Sequence, residues 1–303
     1  MNLVELRDYN ELCELARTPI EVLRKLYGNP KTRKVIAFFP CRNEEKHLPI
    51  VLNSMINQTH PFHEIIIVND CSTDRTKEIA EDYGVKLINL KLKHPSYIGK
   101  PQLATIFNRA LLFIYANEYK FDYLMQHGGD TVLPRNYVET IIKRMESDKQ
   151  IVIAGGIIKS EFQYKEHIRG LGRFYKADFW NTYIKFYPIN YSWESYPLFK
   201  ALSLGYKLRN YPDLVMIPLR HTRLYKENYG LSMRELGYFP PFAIGKCLLS
   251  TIFGRKAGIK MLKSYLFSPS WIMDVKIKNW IRLHQIKRII HPMDSLKIWI
   301  SRM

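Results

Sequence analysis

Hydrophobic and polar positions follow two periods along the first two thirds of the chain. Short apolar runs at 35–39, 64–68 and 85–90 predict buried strands, and apolar residues at three- and four-residue spacing predict helices over 47–58 and 73–83. Successive strand–helix–strand steps of this kind form parallel sheets with right-handed crossovers. The pattern therefore predicts an α/β fold.

The same alternation continues downstream with less regularity. Strands are predicted at 123–125 and 151–158, and helices at 102–117, 134–147 and 198–204. Gly205 follows the last of these helices, where glycine commonly ends a helix. We therefore expect the α/β body to extend to about residue 225.

The pattern divides the chain into three parts. Residues 1–33 hold two short helical stretches, Leu3–Ala16 and Ile20–Tyr27, and predict a helical extension. Residues 34–225 form the α/β body. Residues 226–303 are basic and amphipathic, and contain the nearly apolar run 239–253. That run is too short to span a bilayer, which needs about 20 residues.

Three features predict that the chain stays inside the cell. The first twenty residues are too acidic for a secretory signal, and no run of eighteen apolar residues occurs. The four cysteines have no paired metal-ligand spacing, so we expect reduced thiols.

Charge is strongly positive and unevenly distributed. The chain has a formal charge of +18, and residues 226–303 hold fourteen Lys and Arg against four Asp and Glu. Such an excess favours an anionic partner: nucleic acid, an anionic membrane surface or a phosphorylated substrate. Trp271, Trp280 and Trp299 lie among these bases, which suits either a membrane interface or a helical layer with a solvated basic face.

Acidic residues stand at the carboxyl ends of the predicted strands, where open α/β sheets bind ligands. Asp70 follows the second strand and can accept hydrogen bonds from a base or ribose; Asp130 lies in a glycine-flanked turn and can bind a divalent ion. Each also has a simpler reading, because Asp70 and Asp74 can cap a helix and Gly128-Gly129 can merely make a turn.

Five segments follow one another between residue 35 and about residue 225: 39–45, 67–74, Gly99-Lys100 with Asn108, 129–134, and Trp193-Glu194. In order and spacing, these segments together resemble the inverting family-2 glycosyltransferases. The family resemblance implies a single Rossmann-like α/β domain of the nucleotide-diphospho-sugar transferase fold. A mostly parallel central sheet would carry the N-terminal helical extension and the C-terminal basic helical appendage.

The resemblance also implies an activity and its partners. A hexose would pass, with inversion, from a UDP- or GDP-sugar to a glycan or polyprenyl-phosphate acceptor, with Mg²⁺ or Mn²⁺ as the cofactor. The enzyme would lie in the cytoplasm, peripherally at the cytoplasmic face of an anionic membrane, and no nucleic acid is expected as a partner. Two alternatives remain: a catalytically silent relative that keeps the donor pocket, and a basic nucleic-acid-binding protein.

Individual roles follow from the resemblance by position. Pro40, Glu44 and Asp70 would line the nucleoside pocket, and Glu194 would be the catalytic base. Trp193 would form an acceptor-side platform, with core packing as the alternative. The donor site would also include Arg42, Lys100, Gly129, Asp130 and Arg220. The metal would be bound by Asp130 and His221.

The chain departs from the family pattern at two positions. Gly128 stands where an aspartate usually pairs with Asp130, which predicts weaker metal affinity. Glu194 stands where aspartate is usual, so the reach of the base differs. If the acceptor is a lipid phosphate, already ionised, no general base is required and Glu194 would only position it.

Overall fold

The computed structural model describes residues 33–159, 161, 167–220, 228–252, 257–267 and 274–290. The two N-terminal helices expected from the sequence lie outside these residues. The strands of the described part are β1 Val35–Cys41, β2 Glu64–Asn69, β3 Lys86–Asn89, β4 Tyr123–Gln126, β5 Thr131–Val132, β6 Ile151–Ile158, β7 Arg173–Lys176 and β8 Lys207–Pro218.

Helices connect these strands and continue beyond them. They are α1 Leu48–Ile56, α2 Thr76–Asp82, α3 Leu103–Ala116, α4 Tyr137–Ser147, α5 Ala177–Tyr183, α6 Tyr196–Ser203, α7 Tyr229–Glu235, α8 Pro240–Ile252, α9 Ala257–Phe267 and α10 Val275–Ile290.

One eight-stranded sheet, in the order β3-β2-β1-β4-β7-β6-β8-β5, forms the centre of the fold. The first four strands of this order run parallel to one another, and β6 is parallel to β8. Strand β7 is antiparallel to β4 and β6, and β5 is antiparallel to β8. The predicted single α/β domain with a mostly parallel sheet is therefore confirmed.

Apolar side chains on both faces of the central strands explain this layering. Residues Val35, Phe38 and Phe39 of β1 are fully buried, because helices cover both sides of the sheet. Helix α1 buries Leu48, Val51, Leu52 and Met55, whose spacing places them on one face.

Segments around the second half of the sheet differ from the sequence expectation. Residues 173–218, predicted only as a helix at 198–204, also contain β7, α5 and the twelve-residue β8. The pattern of β8 is irregular because its pairing with β6 shifts register between Gly156 and Ile157.

Contacts with the α/β body hold the C-terminal helices. The Lys200 ammonium of α6 lies 2.6 Å from the Asp274 carboxylate before α10, and the rings of Phe199 and Trp280 are 6.3 Å apart. The Glu235 carboxylate of α7 accepts the backbone N–H groups of Tyr191 and Ser192. The described residues of this region are largely helical, as predicted. The division from the body at residue 225 stays a prediction.

Candidate active site

The loops after β1 and β2 are joined at the carboxyl edge of the sheet. The Asp70 N–H donates to the Cys41 carbonyl at 2.8 Å, and the Asn43 side chain accepts the Thr73 N–H at 2.9 Å. Asn43 and Cys71 both adopt φ of +56°. That conformation is uncommon outside glycine, and these cross-links help to hold both turns in it.

Asp70 lies at the base of this edge and is 5% exposed. Its Oδ1 is 2.7 Å from His94 Nε2 and its Oδ2 is 3.6 Å from Arg42 Nη1. Arg42 Nη2 also donates to the His94 carbonyl at 2.8 Å, and the His94 ring stacks on Tyr97 with centroids 4.0 Å apart. A buried carboxylate, a guanidinium and a stacked ring pair therefore share one pocket.

Hydrogen-bonding capacity remains in this pocket. Asp70 Oδ1, His94 Nε2 and Arg42 Nη1 are buried, and none of them makes a well-oriented hydrogen bond. The 2.7 Å approach of Asp70 Oδ1 to His94 Nε2 meets the distance criterion of an ion pair only. Asp70, Cys71 and His94 also place ligand atoms within 4.8 Å of one another, a group that could hold a metal ion. The mixed donors and acceptors of this group also suit a nucleobase edge.

A chain of ion pairs links the β1 loop to the acidic turn. Arg220 Nη2 is 2.5 Å from Glu44 Oε1, and Arg220 Nε is 2.6 Å from Asp130 Oδ2. Burial raises the pKa of Glu44, and the bonds from His47 and Arg220 oppose that rise. Burial alone would lower the pKa of Arg220, but the two carboxylates outweigh it and raise the pKa. The guanidinium is therefore a fixed positive charge between two carboxylates.

The acidic turn Gly128-Gly129-Asp130 packs closely on the β1 loop. A Cβ built on Gly129 would lie 2.8 Å from Cys41 Sγ and 3.2 Å from Glu44 Cγ, so glycine permits this approach. Below the turn, buried His127 bonds the Thr131 carbonyl through Nε2 and accepts the Gly172 N–H at Nδ1. Burial lowers the pKa of His127 to about 4, so a neutral ring holds the turn.

The acidic turn also offers a carboxylate to a divalent ion such as Mg²⁺ or Mn²⁺. Asp130 is the carboxylate of the turn, and its Oδ1 is 3.5 Å from Thr131 Oγ1, a weak contact that leaves this oxygen available. Mg²⁺ and Mn²⁺ favour oxygen ligands, and Mg²⁺ commonly keeps waters beside one or two carboxylates and substrate phosphates. One aspartate with donor phosphates is therefore a chemically suitable ligand set.

Glu194 is held by a buried arginine. Arg173, 1% exposed, donates from Nη1 to the Glu194 carbonyl at 2.8 Å, and its Nη2 is 3.6 Å from Glu194 Oε1. The Glu194 side chain is 45% exposed. It lies against Gly170, where an added Cβ would collide with Glu194 Oε1. Two residues further on, the Gly172 N–H bonds His127, so segment 170–172 contacts both Glu194 and the acidic turn.

Two further residues of the predicted motifs, Trp193 and Asn108, both contact Tyr187. Trp193 is 8% exposed and packs between Phe107 and Tyr187, with ring centroids 5.2 and 5.1 Å away, which is the core-packing arrangement. Asn108 bonds both backbone polar groups of Tyr187 and thus supports the same cluster. An acceptor-side role for Trp193 stays a prediction.

Three further predicted residues complete the set. Pro40 lies in β1 opposite Val68, one residue before the loop that carries Arg42. Lys100 is exposed in the turn before α3, and the Asn228 amide bonds the preceding Gly99 carbonyl. His221 lies outside the described residues, so its metal-ligand role stays a prediction.

The structure adds residues that sequence reasoning did not identify. His94 contacts Asp70 from a loop without hydrophobic periodicity, and Arg173 lies in a short strand, where an arginine gives no sign of burial. His47 bonds Glu44 from three residues downstream, at 3.0 Å. Of these three residues, only His47 could have been identified from the sequence, by its spacing of three residues from Glu44.

The fold and this edge of acidic residues define a glycosyltransferase. The family model of glycosyl transferase family 2 matches residues 37–199, and the chain belongs to that family.

Two curated relatives match short parts of the chain. The 4,4'-diaponeurosporenoate glycosyltransferase of Staphylococcus haemolyticus is 39% identical over 71 residues, which are 23% of this chain and 19% of the relative. The poly(ribitol-phosphate) beta-N-acetylglucosaminyltransferase TarS of Staphylococcus aureus is 35% identical over 95 residues, 28% of this chain and 16% of TarS. The match thus spans less than a fifth of either relative.

Solved structures share the fold at low identity. The mannosyltransferase PcManGT from Pyrobaculum calidifontis, in complex with GDP-Man and Mn²⁺, superposes with a TM-score of 0.57 at 14% identity, covering 87% of this chain and 88% of that one. S. aureus TarS in complex with UDP-GlcNAc gives 0.52 at 16% identity, covering 85% and 81%. Both support the nucleotide-diphospho-sugar transferase fold.

Proposed function

We propose that this chain is an inverting hexosyltransferase that moves a sugar from a nucleotide-diphospho-sugar to a lipid-linked or cell-surface glycan acceptor. The observation that carries the proposal is Arg220, which bridges Glu44 of the β1 loop and Asp130 of the acidic turn. A guanidinium held at this edge of the sheet can pair with a diphosphate in a forked geometry.

Donor binding divides among three groups in this proposal. Asp70 accepts hydrogen bonds from the base or ribose, and Arg42 donates beside it. Arg220 and Lys100 pair with the diphosphate, and Asp130 binds a divalent metal. Such an ion, when bound, neutralises charge on the departing diphosphate. GDP-Man with Mn²⁺ in PcManGT and UDP-GlcNAc in TarS support a nucleotide-sugar donor of either base.

Glu194 acts on the acceptor side. Its carboxylate takes the proton of an acceptor hydroxyl while that oxygen bonds to the anomeric carbon. The bond from this carbon to the diphosphate oxygen breaks, so the configuration inverts and the nucleoside diphosphate leaves. Arg173 acts through Glu194 as a positioning residue, since it bonds the Glu194 carbonyl and lies beside its carboxylate.

A glycan or polyprenyl-phosphate acceptor is the finer part of the proposal. The curated relatives are named for N-acetylglucosaminyl transfer to poly(ribitol-phosphate) and for glycosylation of 4,4'-diaponeurosporenoate, and these names support such acceptors. A position at the cytoplasmic face of a membrane belongs to the same proposal. Among the described helices, none is long and apolar enough to cross a bilayer.

Titration calorimetry of UDP and GDP, with and without Mn²⁺ or Mg²⁺, tests the proposal. We expect metal-dependent binding of one nucleotide that Asp130→Asn abolishes. Asp213→Asn is the matched control, because Asp213 also pairs with an arginine, Arg144, at 2.6 Å but lies on the surface. Binding that is equal in wild type and Asp130→Asn would refute the metal role. No binding of either nucleotide would favour the silent-relative or nucleic-acid alternative.

A further inference from the structure

Helices α7, α8 and α9 form a small layer with its own core. Their inner faces meet in a cluster of Met233, Ala243, Cys247, Met261 and Tyr265. Helices α8 and α9 approach closely where Gly258 meets the backbone of Cys247, so a side chain at 258 would collide. This contact makes α8 and α9 one rigid pair with its outer side turned away from the cluster.

The outer face of α8 is apolar and uncovered by the described residues. Leu248, Leu249 and Ile252 are 50%, 55% and 75% exposed, on the side opposite buried Ala243 and Cys247. Gly245 lies on the same face, and a Cβ built there would meet nothing within 4 Å. Leucine and isoleucine side chains at this exposure form a ridge and not isolated surface positions.

The outer face of α9 continues this ridge with a mixed character. Ile259, Leu266 and Phe267 are exposed, the last at 82%, and they recur on the side opposite buried Met261 and Tyr265. Lys260 and Lys263 lie among them and are exposed as well. Apolar residues with interleaved lysines are typical of helices that lie in the headgroup region of a bilayer.

Charge distinguishes a lipid surface from other occupants of this ridge. None of α8, α9 and α10 carries an acidic residue, whereas α10 adds five bases along its length. A second copy of the chain would bring the lysines of α9 against like charges. Nucleic acid would match the bases but would leave the leucines and Phe267 in water. An anionic bilayer satisfies both groups at once.

We propose that the outer face of α8 and α9, defined as Leu248, Leu249, Ile252, Ile259, Leu266 and Phe267 with Lys260 and Lys263, inserts into the interface of an anionic membrane. The apolar side chains enter the headgroup boundary and the two lysines pair with lipid phosphates. This names the surface by which an enzyme of the proposed function reaches a lipid-linked acceptor. Only the biological purpose of this membrane contact rests on the proposed function.

Co-sedimentation of the full chain with sucrose-loaded vesicles tests the proposal. We expect binding to phosphatidylcholine vesicles with phosphatidylglycerol to exceed binding to pure phosphatidylcholine. The double variant Leu249→Ser with Phe267→Ser should reduce the partition coefficient about tenfold or more, because two large side chains no longer leave water. Lys260→Gln with Lys263→Gln should reduce it about tenfold on anionic vesicles only.

Matched controls separate this surface from general properties of the chain. Leu112→Ser with Ile189→Ser removes two apolar side chains of 48% and 61% exposure from the α/β body and should keep wild-type vesicle binding. Lys143→Gln with Lys149→Gln removes two exposed lysines from the α/β body and should also keep wild-type vesicle binding. Thermal unfolding and UDP binding at wild-type levels establish that each variant is folded.

Several outcomes would overturn the inference. Absence of wild-type binding to anionic vesicles, or equal losses in the surface and control variants, excludes this face as the docking surface. Lipid-free self-association that Leu249→Ser abolishes would assign the ridge to a second copy. RNA retention that depends on Lys260 and Lys263, without vesicle binding, would assign it to nucleic acid. Failure to bind either UDP or GDP, with normal vesicle binding, refutes the proposed function alone.

Discussion

Arg220 Nε lies 2.6 Å from Asp130 Oδ2, although ninety positions separate the two residues in the chain. The pair joins the end of β8 to the acidic turn before β5, and the backbone reinforces it because the Leu219 N–H donates to the Asp130 carbonyl at 2.8 Å. The proposed diphosphate ligand and the proposed metal ligand are therefore positioned by the same contact.

Replacement of Arg220 should weaken diphosphate binding. We expect Arg220→Ala to lower the affinity for UDP with Mn²⁺ roughly 10- to 100-fold, the usual range for loss of hydrogen bonds to a charged group. Calorimetry measures the change. The control is Arg144→Ala, which removes a two-bonded arginine–aspartate pair at the surface and should keep wild-type affinity. Equal affinities in the two variants would remove Arg220 from the donor site.

Replacement of Asp70 should act on the nucleoside alone. In Asp70→Asn, one acceptor oxygen becomes an amide donor that faces Arg42, so we expect about a tenfold loss for uridine as well as for UDP if the base is uracil. Arg220→Ala should leave uridine binding unchanged. Competition of uridine and UDP against a fluorescent nucleotide measures both, and a loss confined to UDP in Asp70→Asn would place the base elsewhere.

Replacement of Glu194 should slow transfer without loss of donor affinity. We expect Glu194→Gln to reduce kcat by roughly 10²- to 10⁴-fold, the range for removal of a general base. Glu194→Asp should retain more activity, and Arg173→Lys should alter the pH profile of the rate because Arg173 lies beside the carboxylate. Release of nucleoside diphosphate measures the rate. A raised KM with normal kcat would instead indicate an acceptor that is already ionised.

Stability should fall with acidification because of His127. Burial lowers its pKa to about 4 in the fold, whereas the unfolded chain protonates near pH 6.5. The unfolded state therefore binds more protons between these values, so the contribution is complete above pH 6.5 and is lost as the pH falls to 4. The loss is roughly 3 kcal/mol in the free energy of unfolding.

Urea unfolding at several pH values measures this dependence. His127→Gln should show a shallower decline between pH 6.5 and 4, whereas His60→Gln, which leaves His127 in place, should keep the steep decline. A decline of equal slope in wild type and His127→Gln would assign the acid sensitivity to other groups.

A side chain at position 129 should disturb the acidic turn. The Cβ of Gly129→Ala would lie 2.8 Å from Cys41 Sγ, so we expect a loss of about 1–3 kcal/mol in the free energy of unfolding and weaker UDP binding. Cys41→Ala in the same chain should recover part of both. Gly245→Ala, in open space on α8, should instead stabilise by about 0.5–1 kcal/mol, and an equal loss in the two glycine variants would contradict the steric explanation.

The repeated strand–helix periods made the first half of the fold predictable. Strand β1 is buried on both faces and α1 buries one stripe, and such patterns are specific to parallel sheets. Strand β8 was missed because its register shift breaks the alternation, and β7 because Arg173 and Lys176 leave only two adjacent apolar residues between them.

The candidate site was predictable where the residues follow a strand directly. Asp70 and Glu44 are of this kind, and their motif spacing placed them at one edge. His94 was not, since its contact with Asp70 depends on the course of a loop that has no periodic pattern. Arg173 was not, because only tertiary structure buries an arginine beside a tyrosine hydroxyl and a backbone carbonyl.

Gly128 and Leu171 together determine how a second carboxylate could be added to the acidic turn. A Cβ at position 128 would lie 2.8 Å from Leu171 Cδ2, and 3.3 Å from Asp130 Oδ1. Because Cδ2 is the far end of a leucine side chain, Gly128→Asp would displace that side chain and not the backbone. A second metal ligand engineered at position 128 is therefore best combined with a smaller residue at position 171.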